Sequence, residues 1–169
     1  MILVSDTSVL IDLERGRLLE TIFALPHQFA VPDVLYDREM QGEWGEYLVA
    51  IGLQVVEVSS EGVGNALRYR QQRISLSVAD SFALALAKEQ TWLLLTGDGQ
   101  IRELAEEEKI ECHGLFWLLD TLEKSDTADF QILHEGLTAI ASHPRCRLPR
   151  REIKTRLERY QMVIKRADA

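Results

Sequence analysis

The chain has two cysteines, Cys112 and Cys146, and their spacing matches no metal-binding pattern. Thiols of this kind stay reduced in a cytosolic protein, and that is the expectation here. Its four histidines, His27, His113, His134 and His143, form no local motif and are read as surface or capping residues. No uninterrupted apolar run approaches ~18 residues, so no membrane span is expected. No basic stretch precedes the first apolar residues, and Asp6 interrupts them early, which predicts no signal peptide. A cytoplasmic protein without membrane association is the resulting expectation. Neither an internal repeat nor a low-complexity segment is present. Trp44, Trp92 and Trp117 are read as packing residues rather than platforms for stacked bases.

What is present fits an ordinary globular chain. It has 169 residues, 46% hydrophobic and 27% charged, enough for one domain with an appendage and a substantial core. The net charge of −8 argues against a nucleic-acid ligand. Its distribution softens that argument. From Arg145 to Ala169 there are nine Arg/Lys and three Asp/Glu, a local balance of +6, so residues 1–144 carry −14. This asymmetry predicts a tail that folds onto the acidic body or reaches a polyanion.

Periodicity predicts alternating strands and helices. Strands are expected at Ile2–Ser5, Phe29–Val31, Leu53–Val58, Trp92–Thr96 and Ile110–Cys112. Helices are expected over about Thr7–Leu13, Arg17–Leu25, Asp33–Ile51 (soft near Gly42 and Gly45), Glu61–Gln72, Val78–Glu89, Gln100–Lys109, Leu115–Glu123 and Thr127–Ile140. Ser59 or Ser60 and Ser77 are candidate caps. A basic helix is expected from Arg150 to Arg166. Such alternation predicts an α/β fold, a three-layer α/β/α sandwich whose central, mostly parallel sheet has about five strands. The expected organisation is a core over 1–124, an additional helix packed on it over 125–144, and a basic tail or helix over 145–169.

Three acids stand out by their surroundings. Asp6 ends the run Ile2-Leu3-Val4-Ser5, and Asp98 ends Trp92-Leu93-Leu94-Leu95-Thr96-Gly97. Asp80 lies in a helical segment that is apolar nearly all round. In open parallel sheets, sites lie beyond the carboxyl ends of the strands. Two acids at strand exits and one on a buried helix therefore predict a convergent carboxylate site for a hard divalent cation. Plainer readings exist. Asp6 could cap the following helix, and Asp98 with Gly99 could form a turn. Asp80 is harder to dismiss, because a semi-buried carboxylate without a partner is costly.

These segments resemble the PIN-domain family, which includes toxin ribonucleases. Val4-Ser5-Asp6-Thr7-Ser8-Val9-Leu10-Ile11 resembles its opening strand and first acid. Ala79-Asp80-Ser81-Phe82-Ala83-Leu84-Ala85-Leu86-Ala87 resembles its third-acid helix. Leu94-Leu95-Thr96-Gly97-Asp98 and the following Ile101-Arg102-Glu103-Leu104-Ala105 resemble its fourth-acid segment. His113-Gly114-Leu115-Phe116-Trp117-Leu118-Leu119 resembles a closing turn and helix. The resemblance covers about residues 1–124, and residues 145–169 find no counterpart in it. For the second acid Glu39 is the best match, about one residue late, with Asp37 and Glu43 as alternatives. Gln100 stands where many members carry a further acid.

The resemblance implies a ribonuclease that cleaves phosphodiester bonds with a water activated by Mg²⁺ or Mn²⁺. It implies Asp6, Glu39, Asp80 and Asp98 as catalytic acids, with Asp6, Asp80 and Asp98 as metal ligands. Thr7, Ser8 and Thr96 would hydrogen-bond a carboxylate or the scissile phosphate. RNA is the implied partner, and a small antitoxin protein and a homodimer are compatible with it. Arg68, Arg70 and Arg73 could guide RNA phosphates or form a solvated helix face. The tail arginines Arg145, Arg147, Arg150, Arg151, Arg156 and Arg159 are expected to form a charged helix surface, with an RNA or protein contact as the second reading. Two other functions compete. One is a PIN-like module that binds RNA or protein without cutting. The other is a phosphoryl-transfer enzyme with Asp6 as nucleophile, which Ser8 at the second position after Asp6 argues against.

Overall fold

A computed structural model describes residues 1–125 and 127–167. Asp126, within the expected segment 125–144, and the last two residues of 145–169 lie outside the described residues. The strands are β1 (Ile2–Ser5), β2 (Gln28–Pro32), β3 (Leu53–Val56), β4 (Leu93–Leu95) and β5 (Cys112–His113). The helices are α1 (Thr7–Arg15), α2 (Leu19–Phe23), α3 (Asp33–Glu39), α4 (Glu43–Ala50), α5 (Ser60–Gln72), α6 (Val78–Gln90), α7 (Gly99–Glu107), α8 (Leu115–Lys124), α9 (Phe130–Ser142) and α10 (Arg150–Ala167). The class is an α/β/α sandwich: a central sheet with flanking helices, plus a C-terminal helix.

The sheet has the order β3-β2-β1-β4-β5, and all four pairings are parallel. The chain builds outward from β1 in one direction, to β2 and β3, then returns to β4 and β5 on the other side. The exits of β1 and β4 are therefore neighbours at the point where strand order reverses, with Ser5 in register with Leu95. A crevice beyond the carboxyl ends forms at such a point.

Two compact units divide the chain. The first comprises Met1–Val9 and Pro26–Gly114 and contains the sheet. Its central helix is α6, where Ala79 and every residue from Ser81 to Ala87 are buried. This explains the lack of a polar face in the sequence, since α6 packs against β1, β2, β4, α3 and α5. Fully buried side chains such as Leu84 and Leu86 each contribute about 1.5–3 kcal/mol through burial. Ser77 caps α6 by accepting from the Asp80 N–H at 3.0 Å, and Ser59 caps α5 by accepting from Gly62.

Several element boundaries differ from the sequence expectation. The strand expected to Val58 ends at Val56, and the helix expected over Arg17–Leu25 is Leu19–Phe23, with Arg17 at φ +55° ahead of it. The helix expected over Asp33–Ile51 is two helices, because Gly42 takes φ +103° between α3 and α4. Leucine or alanine would be strained there. The last strand is Cys112–His113 rather than Ile110–Cys112, since Lys109 takes φ +58° and Ile110 belongs to the turn after α7. The helix expected from Thr127 begins at Phe130, where Asp129 caps it by accepting from the Gln131 N–H.

The second unit comprises Leu10–Leu25 and the chain from Leu115 on. Within it α9 packs on α10 and on α8. Gly136 of α9 is pressed against the Leu18 side chain and the Gly16 carbonyl; a Cβ there would meet Leu18 Cγ at 2.8 Å. Arg156 of α10 is only 9% exposed. Its Nε and Nη2 donate to the two Asp120 oxygens at 2.9 and 2.7 Å, and Nη1 donates to Glu152 Oε2 at 2.8 Å. The guanidinium also lies over the Phe116 ring at 4.3 Å. Arg159 pairs with Glu123 and Asp120. The expectation of a charged surface is thus corrected for Arg156, a buried clamp between α10 and α8. Among the described residues no helix is long and apolar enough to cross a membrane, and both cysteines are free.

Candidate active site

Asp6 follows β1 and heads α1. It is 2% exposed. Oδ1 accepts from Ser8 Oγ at 2.8 Å and from the Val9 N–H at 2.9 Å, and Oδ2 accepts from the Thr96 hydroxyl. The capping role weighed from sequence is therefore real. Thr96 is itself fully buried at the exit of β4, and its Oγ1 also accepts from the Asp98 N–H at 3.0 Å. One hydroxyl thus links the first and fourth acids. Burial pushes the Asp6 pKa up; the Thr96, Val9 and Ser8 hydrogen bonds pull it down, and the charge of Asp80 pushes it up.

Asp98 is exposed and caps α7. Its Oδ1 accepts from the N–H groups of Gln100 and Ile101, at 2.8 and 3.1 Å. Asp80, half-buried in the first turn of α6, accepts on Oδ2 from Ser77 Oγ at 2.6 Å. Burial is the main cause raising the Asp80 pKa. The Ser77 hydrogen bond opposes it, and the charges of Glu39 and Asp98 both add to the rise. Glu39 ends α3 and accepts from the Thr7 hydroxyl on Oε2.

The four acids are therefore electrostatically coupled around Asp80: Glu39 and Asp98 act on it, and it acts on Asp6. Glu39 is the acid of α3 that takes part, in spite of its late position. Asp37 is engaged with Gln41 Nε2 at 3.4 Å, and Glu43 heads α4. Thr7, Ser8 and Thr96 all serve the carboxylates: Thr7 donates to Glu39, and Ser8 and Thr96 donate to Asp6. The Gln100 side chain is engaged elsewhere, its Oε1 accepting from Ser75 Oγ at 2.6 Å.

Coupling is not coordination. Among the described residues, no group of three or more His, Cys, Asp or Glu stands close enough to hold a metal ion. The shared three-acid ligand set expected for Asp6, Asp80 and Asp98 is not present as a preformed cluster. The physical reason lies in the hydroxyl and backbone donors that already engage one oxygen or both of each carboxylate, and in the mutual repulsion of like charges. The donor chemistry still fits a hard cation. Among the described residues, Glu39 Oε1, Asp80 Oδ1 and Asp98 Oδ2 carry no protein hydrogen bond. Mg²⁺ is commonly held by one or two carboxylates and several waters, so a three-carboxylate cage is not required.

Two site features escaped the sequence reading. Ser77 was legible as a cap three residues before Asp80, but not as the group that fixes the Asp80 carboxylate. Arg102 donates from Nη2 to the Thr96 carbonyl at 2.9 Å. Gly114 leaves room for it, since a Cβ there would sit 3.0 Å from Arg102 Nη2. No spacing signal announced that contact. Of the three arginines read as RNA guides, Arg68 is paired with Glu108 at 2.8 Å and Arg73 with Glu107 at 2.6 Å, which favours the solvated-face reading for those two.

A search of curated proteins finds no match to the chain. A family model described as PIN domain matches residues 2–162. That match runs well past residue 124 and takes in most of α10, a segment for which the sequence motifs offered no counterpart. With its sheet topology, its acids at the β1 and β4 exits and a match of nearly full length, the chain belongs to the PIN-domain family.

Proposed function

We propose that the chain is a metal-dependent endoribonuclease that hydrolyses phosphodiester bonds of RNA, single-stranded or structured. The observation that carries this reading is geometric: the Thr96 hydroxyl joins the Asp6 carboxylate to the Asp98 N–H at the neighbouring exits of β1 and β4, and Thr7, next to Asp6, holds Glu39. Asp6 and Asp98 would hold Mg²⁺ or Mn²⁺, with Asp80 and Glu39 binding directly or through water. The bound cation supplies a lowered pKa for an attacking water and positive charge beside the phosphoryl oxygens. The residues of the chain do the rest. Ser8 and Thr96 orient the Asp6 carboxylate, and Thr7 orients Glu39. Asp80, half-buried in the first turn of α6, or Glu39 would accept the water's proton. Arg102 fixes the Thr96 backbone and so keeps the hydroxyl that links Asp6 to Asp98 in place.

In this reading the chain can act as the toxin of a toxin–antitoxin pair, inhibited by a small antitoxin protein bound near the acids. An adjacent small open reading frame would support that role. A second reading is favoured by one observation, the lack of a preformed metal-holding group among the described residues. It is a PIN module that binds RNA or protein without cutting. A cleavage assay on single-stranded RNA with Mg²⁺ or Mn²⁺ separates the two. The nuclease reading expects products that disappear with chelator and in Asp6→Asn and Asp80→Asn. Activity that survives both substitutions in pure protein rules out the assigned mechanism, and RNA binding without any product supports the second reading.

A further inference from the structure

The basic residues of the C-terminal segment fall into two populations. Arg156 and Arg159 are locked in ion pairs with Asp120, Glu123 and Glu152. Arg145, Arg147, Arg150 and Arg151 are all exposed, and among the described residues none of their guanidinium groups has an acidic partner. Between Arg145 and Lys154 there are five cations and one acid, Glu152, and that acid is taken by Arg156. This is a concentrated positive patch on a chain whose net charge is −8.

The patch borders a groove of about 780 Å³ that lies wholly within the second unit, between α9, α10 and the segment joining them. Its walls combine apolar side chains, Leu148, Ile153 and Leu157, with the imidazoles of His134 and His143. Arg150 and Lys154, one turn apart on α10, stand on its wall with Glu158, which pairs with Lys154 at 3.7 Å. His143 is fixed by accepting from the Arg145 N–H on Nδ1 at 3.2 Å. Groove volumes of ~300–1,000 Å³ suit a small organic ligand, and a nucleoside is small enough to enter. Flat rings and apolar walls suit a base, while exposed guanidinium groups suit phosphates.

We propose that this groove is an accessory RNA-binding site. A base of single-stranded RNA enters between α9 and α10, and the flanking phosphates pair with Arg145, Arg147, Arg150 and Arg151. An acidic peptide would satisfy the arginines but would leave the ring-lined groove without a matching group. The proposal rests on RNA being the substrate, and it is separable from the chemistry at the acids.

The test measures fluorescence anisotropy of a labelled oligouridylate bound to full-length Asp6→Asn protein at a series of KCl concentrations. The comparison is the same protein with Arg145, Arg147, Arg150 and Arg151 all changed to Gln. For single strands, the slope of log K against log salt flattens by about 0.7 for each phosphate no longer neutralised by the protein. The expected result is affinity weakened tenfold or more at low salt, with a slope flatter by about 2–3. A four-lysine variant, which keeps the charge, should retain most of the slope, and unchanged thermal melting excludes unfolding as the cause. Equal affinity and equal slope in the Gln variant overturn the proposal. So does arginine-dependent binding of polyglutamate with none of RNA. Arginine-dependent RNA binding by a wild-type protein that cuts nothing keeps the groove and removes the nuclease.

Discussion

Replacing Thr96 with Val removes one hydroxyl and keeps the side-chain shape. Thr96 is 0% exposed; its Oγ1 donates to Asp6 Oδ2 and accepts from the Asp98 N–H. In the variant a carboxylate oxygen of a residue 2% exposed loses its donor. A hydrogen bond to a buried charged group contributes about 1.5–3 kcal/mol. The Asp98 N–H, near the exposed end of the turn, can turn to water and adds little. For a chain of this size each kcal/mol moves Tm by about 2–4 °C, so a fall of about 3–12 °C is expected by differential scanning calorimetry. The pH dependence carries the sign. Asp6 already has a folded pKa above its ordinary 3.8, so ionising it costs stability as pH rises through that raised value. Thr96 opposes the rise, and its loss pushes the pKa higher still. The deficit of Thr96→Val should therefore grow toward alkaline pH and shrink at acid pH, where Asp6 is protonated in both proteins. Thr96→Ser should restore most of the loss. A deficit of the same size at both ends of the pH range, or none, refutes the reasoning.

Stability of the metal-free wild type should fall as pH rises from about 3.8, because both Asp6 and Asp80 have raised pKa values. A cation at 100 times its Kd restores about 2.7 kcal/mol; at a fixed cation concentration the gain grows with pH as the acids ionise, and a melting curve unmoved by saturating Mg²⁺ or Mn²⁺ removes the cation site. Arg156→Ala should cost about 1–3 kcal/mol in urea denaturation, since the carboxylates left behind, Asp120 and Glu152, are 31% and 52% exposed and Asp120 keeps Arg159. A double-mutant cycle with Asp120→Ala should return a coupling of about 1–3 kcal/mol, and additivity would mean that the clamp carries no energy.

Local patterns made the scaffold readable. Short apolar runs, capping serines at Ser59 and Ser77 and an Asp-Gly pair at Asp98 each carry their structural reason within a few residues. Asp80 was readable for the same reason, as an acid among apolar neighbours on α6. The break at Gly42 was only half legible, since glycine marks a soft spot but not the positive φ that divides α3 from α4. The pairing of Arg156 with Asp120, 36 residues apart, has no local signature. The same holds for Thr7 with Glu39 and Arg102 with the Thr96 carbonyl. Local sequence placed Asp6 and Asp98 at strand exits and Asp80 on α6, whereas Glu39 came only from the family resemblance. Neither could say that hydroxyls and backbone N–H groups would hold them at coupling range without a three-acid cage.

The most direct check is a titration of the pure chain with Mn²⁺, followed by the loss of the free-ion EPR signal, in wild type, Asp6→Asn and Asp80→Asn. Saturable binding by wild type, clearly weaker in each folded variant, is the predicted result. Wild type that leaves the free Mn²⁺ signal intact, or variants that bind as tightly as it does, would contradict a cation held by these acids.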